Sequence, residues 1–146
     1  MDDLILNGVL LTPLRQIPNP KGDIYHALKA SEHGYVSFGE AYFSSINQNE
    51  VKGWKKHKRM VLNIVVPVGT IKFYLIDDRS NSSTVDNKQS VILSPKNYQR
   101  LTVPSGIWMA FKGIDENNLL LNIASIEHDP EEAENMSLDT LKLFEV

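Results

Sequence analysis

The stretch VKGWKKHKRM, Val51–Met60, carries five basic residues and one histidine around a tryptophan. An imidazole can take up and release protons near neutrality. Ammonium and guanidinium groups hold phosphates, or a negative charge as it develops on oxygen. Such a cluster can be a nucleic-acid patch, a solvated basic loop or one wall of an active site. Strand alternation separates these readings, because successive side chains point to opposite faces. If the stretch is extended, Lys55, His57 and Arg59 share one face and Lys56 and Lys58 share the other. Lys55 and His57 then stand about 7 Å apart along the strand. One half of the cluster can line a concave sheet, and the other half can be ordinary solvent-facing charge.

The remaining candidates are fewer. Tyr42 and Tyr74 can supply a hydroxyl acid if their strands turn them inward, and Tyr42 is the first choice. Lys21 precedes Gly22 in a turn, and Lys52 precedes Gly53. Asp77, Asp78 and Arg79 read as a strand end with local pairing. Trp54, Trp108 and Phe111 read as core.

The elements that must position these groups are short strands. The chain has 146 residues, enough for one domain, 1–146, with a sizeable core. Apolar positions recur mostly with period two. The run MVLNIVVPVGTIKFYLIDDR reads as two strands joined at Pro67 to Gly69, and KQSVILS, QRLTVPSG, IWMAFKG and NLLLNIASI follow as further runs. NPKG, DRSNSS, PSG and DENN punctuate them. That pattern predicts an all-β sandwich or barrel. Helix is expected only near the end, where Asp129 can cap a turn begun by Pro130, with one more turn in SLDTLKLF.

Bulk numbers limit the chemistry. With no cysteine there is no disulfide, no thiolate metal site and no cysteine nucleophile. A net charge of −3 and a short basic patch without a stacking signature argue against nucleic acid. The acidic start MDDLILNGVLL lacks a signal-peptide pattern, and no run reaches a membrane-spanning length. A soluble, cytoplasmic protein is the expectation.

Two signals about fifty residues apart resemble the paired motifs of cupins: Gly53, His57 and Gly69, then VPSGIWMAF. GEAYFSSINQNEVKGWKKHKR, GTIKFYLIDDR, VILSPKNYQRLTVPSGIWMAFKG and LLLNIASIEHDPEE look like the dTDP-4-dehydrorhamnose 3,5-epimerase family. There is some similarity to dTDP-4-oxo-sugar 3,4-ketoisomerases. The resemblance implies a jelly-roll (double-stranded β-helix) barrel with a short C-terminal helical segment, and a homodimer. It further implies an epimerase or ketoisomerase of a nucleoside-diphosphate 4-keto sugar in surface polysaccharide biosynthesis. Such chemistry needs a base beside the 4-keto group, an enolate-stabilising cation and an acid. His57, Lys55 and Tyr42 are assigned to the catalytic set, and Lys21, Lys52 and Arg59 to substrate binding. The match is split, however. Lys55 occupies the epimerase base position, Met109 stands where many relatives have a histidine, and no tyrosine falls where the epimerase acid lies. Lys55 and Met109 also occupy two cupin metal-ligand positions, so no metal and no cofactor are expected. The alternative reading is a non-catalytic cupin that binds a sugar, a nucleotide sugar or a protein partner.

Overall fold

The computed structural model describes residues 5–144. Two five-stranded antiparallel sheets face each other. The first runs β1 (Leu10–Pro13), β9 (Gln99–Val103), β6 (Leu62–Val68), β11 (Asn117–Ala124), β4 (Glu40–Asn47). The second runs β12 (Ala133–Asn135), β5 (Val51–His57), β10 (Ile107–Gly113), β7 (Ile71–Asp77), β8 (Lys88–Leu93). A small pair, β2 (Gln16–Ile17) and β3 (Ile24–Tyr25), stands apart.

From β4 to β7 the chain changes sheet at every step, and it does so again from β8 to β11. This winding is the double-stranded β-helix, an all-β jelly roll of the cupin type. It explains why Gly69 and the Pro104–Gly106 turn matter: each carries the chain across the sandwich and not back along the same sheet. The core between the sheets holds Leu62, Ile64, Phe73, Leu75, Leu101 and Leu120, among others. Each such side chain contributes about 1.5–3 kcal/mol by leaving water.

Burial alternates cleanly in β11, where Asn118, Leu120, Asn122 and Ala124 are buried. In β6 it does not: Leu62 to Val66 are all buried, because the outer face is covered as well. The segment before β4 lies over it. Asn63 donates to the Gly34 carbonyl at 3.1 Å. Buried Arg100 donates to the carbonyls of Ala27 and His33 at 2.9 and 3.2 Å.

The outer face of the second sheet carries a smaller cluster of Trp54, Tyr74, Trp108 and Ala110. Met136, Leu141 and Phe144 cover it. The helical segment expected at the end is one 3-10 turn, Pro130–Glu132. Asp129 caps it, accepting from the Glu131 N–H at 3.0 Å. It stops there because Ala133–Asn135 joins the second sheet beside β5. SLDTLKLF forms no helix over its described residues; the edge of the barrel recruits that region as a cover.

Candidate functional site

The site is built on β5, and one irregularity decides which side chains reach it. Lys55 lies opposite Met109 on β10, but Lys52 lies opposite Phe111. Three residues on β5 thus span two on β10, so β5 holds one extra residue at Gly53–Trp54, a β-bulge. An extra residue reverses the side-chain phase. Without it Lys52 and Lys55 would point to opposite faces. With it, Lys52, Lys55 and His57 all share the inner face with Met109 and Phe111. Trp54 is turned outward, and its indole N–H donates to the Leu141 carbonyl.

Gly53 is required at the bulge. Its φ is +143°, and a Cβ there would sit 2.5 Å from the Ala110 Cβ.

These groups face a cavity of about 270 Å³. The polar side of its wall is Tyr42, Ser44, Lys52, Lys55, His57, Asn122 and Asn135. The apolar side includes Leu62, Ile64, Val103, Ile107, Met109 and Phe111. No acidic side chain is among the lining residues.

His57 is held from behind. Its Nδ1 meets Glu132 Oε1, and the Glu132 side chain is 2% exposed. The other carboxylate oxygen of Glu132 accepts the backbone N–H groups of Lys58, Arg59 and Met60 at 3.2, 2.9 and 3.0 Å. Burial of Glu132 works against its charged form. The hydrogen bonds from His57 and from the Arg59 and Met60 backbone more than offset that, and hold the carboxyl below its ordinary range. An ionised carboxylate can only accept, so Nδ1 carries the proton and Nε2 is left for chemistry.

Tyr42 reaches the cavity from the first sheet, on edge strand β4, and its phenol oxygen accepts from Asn122 Nδ2 at 2.8 Å. Lys52 Nζ donates to Ser44 Oγ at 3.1 Å and to the Ser45 carbonyl at 2.7 Å. No ion pair or hydrogen bond engages the Lys55 ammonium among the described residues.

Four of the six residues singled out from the sequence therefore meet at one cavity: Tyr42, Lys52, Lys55 and His57. Lys21 is exposed in the turn between β2 and β3, and Arg59 is 62% exposed and 3.4 Å from Asp129. Neither is among the lining residues. Strand alternation would carry Arg59 onto the Lys55 face, but β5 ends at His57 and the chain bends as its N–H groups turn to Glu132.

Lys56, on the opposite face as alternation requires, is not ordinary solvent-facing charge. It pairs with Asp78 at 2.6 Å and Glu134 at 3.1 Å and lies 5.0 Å from the Trp108 ring centroid. Partial burial opposes its charge, but the hydrogen bonds and charges of Asp78 and Glu134 prevail and raise its pKa. Asp77 and Arg79 pair locally, as expected.

Glu132 and Asn122 were missed from the sequence. Glu132 was visible as the second glutamate of DPEE, but nothing local ties it to His57, 75 residues away. Asn122 is a polar residue in the middle of the apolar run NLLLNIASI, on a phase that proves to be buried.

No family model matches the chain. A probable low-salt glycan biosynthesis epimerase from Haloferax volcanii is 30% identical over 94 residues, 63% of this chain and 60% of that protein. The match thus spans less than two thirds of that relative's length. The crystal structure of a dTDP sugar isomerase from Desulfovibrio desulfuricans superposes with a TM-score of 0.88 at 36% identity, over 92% of this chain and 87% of the other. The chain belongs to the dTDP-4-dehydrorhamnose 3,5-epimerase-like family of cupins. A dTDP-4-dehydrorhamnose 3,5-epimerase from Elizabethkingia anophelis shares the fold at a TM-score of 0.78 and 16% identity, over 92% of this chain and 78% of that one.

Proposed function

We propose that the protein is an epimerase or ketoisomerase of a nucleoside-diphosphate 4-keto sugar, acting in surface polysaccharide biosynthesis. One observation carries the reading: His57, oriented by the buried Glu132 carboxylate, shares a cavity wall with two lysines, while a tyrosine comes from the opposing sheet. The relatives named a dTDP sugar isomerase and a glycan biosynthesis epimerase support it.

The 4-keto group acidifies the neighbouring C–H. His57 Nε2 takes that proton, the electron pair moves onto the ketone oxygen, and the unpaired Lys55 ammonium stabilises the enolate. Tyr42 returns a proton to carbon from the first-sheet side. The phenolate then regains a proton from water and His57 releases its own, so the reaction is proton-neutral. The Glu132 carboxylate keeps Nδ1 protonated and stabilises the imidazolium while it exists.

The cavity is smaller than the usual pocket for a drug-sized ligand, so it holds the sugar while the diphosphate and nucleoside extend outward. Lys52 stands at the wall to meet phosphate. Lys21 and Arg59, outside the lining, are assigned to the protruding part of the ligand. A single imidazole opposite a lysine and a methionine is a poor transition-metal donor set, and the mechanism uses no metal or cofactor. The reading places the enzyme in the cytoplasm as a homodimer that pairs edge strands between subunits.

The test is solvent deuterium exchange into 4-keto nucleotide sugars, followed by NMR. Wild type washes deuterium into C3, and His57→Asn abolishes this without unfolding the domain. No exchange by wild type across several such sugars would favour a binding module over an enzyme. Exchange undiminished in His57→Asn removes His57 as the base.

A further inference from the structure

Asn122 is 4% exposed, yet its Oδ1 has no hydrogen-bond partner among the described residues. An unmet buried polar atom costs about 1–3 kcal/mol, whereas an apolar residue of the same shape costs little. Folding alone therefore gives no reason for an amide here, in a strand otherwise rich in leucine. Its location supplies one. Asn122 and Tyr42 are direct cross-strand partners on β11 and β4, and both line the cavity. The amide Nδ2 donates to the phenol oxygen at 2.8 Å. That bond occupies an acceptor site of the phenol and leaves its own proton unspent on Asn122, and no other described side chain takes it.

We propose that Asn122 is the positioning residue of Tyr42. It fixes the polarity of the phenol so that the hydroxyl proton is delivered into the cavity, and it keeps a donor on the oxygen after the proton has left. This rests on the reading of Tyr42 as the acid. The amide serves both requirements. A carboxylate at this position would accept the phenol proton and hold it, and an aliphatic side chain would leave the hydroxyl undirected.

The proposal separates two steps that an unfolded or misshapen site would lose together. Proton removal by His57 does not involve Asn122, but proton return does. In Asn122→Asp and Asn122→Leu, deuterium exchange into the substrate should persist while epimerised or isomerised product falls about a hundredfold relative to exchange, the lower range of a general-acid contribution. A parallel fall of both, in both variants, would overturn the proposal in favour of a purely structural amide.

A second readout needs no substrate. The Raman tyrosine doublet reports whether a phenol accepts or donates its hydrogen bond, and the Tyr42 signal is isolated from the other four tyrosines by difference against Tyr42→Phe. Wild type should show an acceptor phenol and Asn122→Asp a donor phenol. An unchanged doublet in Asn122→Asp overturns the proposal. If wild type neither exchanges nor converts any 4-keto sugar, the enzymatic reading fails by itself, and the doublet alone then decides whether Asn122 sets the polarity of Tyr42.

Discussion

Glu132 should be the most sensitive residue of the site that touches no substrate. Replacing it with alanine leaves the Lys58, Arg59 and Met60 N–H groups without their carboxylate acceptor and frees His57 Nδ1. Hydrogen bonds to a charged group contribute about 1.5–3 kcal/mol each, and bonds of one network do not add fully. Solvent reaches Lys58 and Arg59 but not Met60. A loss of about 3–5 kcal/mol follows, the range for breaking a buried charge pair. For 146 residues the unfolding entropy is roughly 0.3 kcal/mol/K, so the midpoint should fall by about 10 °C or more.

The pH dependence has a fixed sign. Burial raises the Glu132 pKa, but its hydrogen bonds lower it further, leaving the folded value below the ordinary 4.5. A depressed carboxyl stabilises the fold fully above its unfolded pKa and loses that contribution as pH falls through the folded pKa. The wild-type advantage over Glu132→Gln should therefore shrink below about pH 4.5. Chemical denaturation followed by circular dichroism, from pH 7 downward, measures this. A stability difference constant across that range would refute the reasoning, as would a Glu132→Ala loss below about 1 kcal/mol.

Other outcomes follow from the same geometry. Gly53→Ala should destabilise by about 3 kcal/mol or more through the Ala110 clash, or shift β5 in register; reduced thermal stability together with lost ligand binding checks it. Lys52→Ala and Lys55→Ala should each weaken thymidine diphosphate binding about tenfold in calorimetry, with an affinity that falls as salt rises. Arg59→Ala and Lys21→Ala should reduce affinity less, since neither lines the cavity; a larger loss at Arg59 than at Lys52 relocates the diphosphate. Asp77→Asn should lower stability near neutrality and flatten the acid limb, because its carboxyl accepts from Arg79, Ser82 and Thr84 at 2.8, 2.6 and 2.7 Å and is held well below its usual range despite burial.

The fold was legible because it depends on features that are local in sequence. Period-two runs punctuated by Gly, Pro and Asn specify short strands without any knowledge of their partners. The site was legible only in part. That Lys55 and His57 share a face follows from period two, and the structure agrees. Lys52 joins them through a bulge that no periodicity announces. The end of β5 at His57 depends on Glu132, supplied from a distant turn. Tyr42 could not be phased from its own strand, because β4 is an edge strand whose exposed positions do not alternate cleanly.

The bulge links the fold to the chemistry. A regular β5 would bring either Lys52 or the Lys55–His57 pair to the cavity, not all three, since a shift of one residue exchanges the faces. Two lysines beside an imidazole are costly to crowd without counter-charge, and the lining offers none: the Glu132 carboxylate behind the wall is committed to His57 and the 58–60 backbone. The hydrogen bonds of Lys52 to Ser44 and Ser45 use uncharged oxygens. Among the described residues, the positive charge of the wall is therefore left unneutralised, and an anionic ligand that supplies the missing charge should stabilise the fold on binding. Thymidine diphosphate should raise the melting temperature of wild type and raise it less when Lys52 and Lys55 are both replaced by Met. An equal rise in the double variant would show that the anion binds elsewhere, and would separate the cations of β5 from the ligand they are proposed to hold.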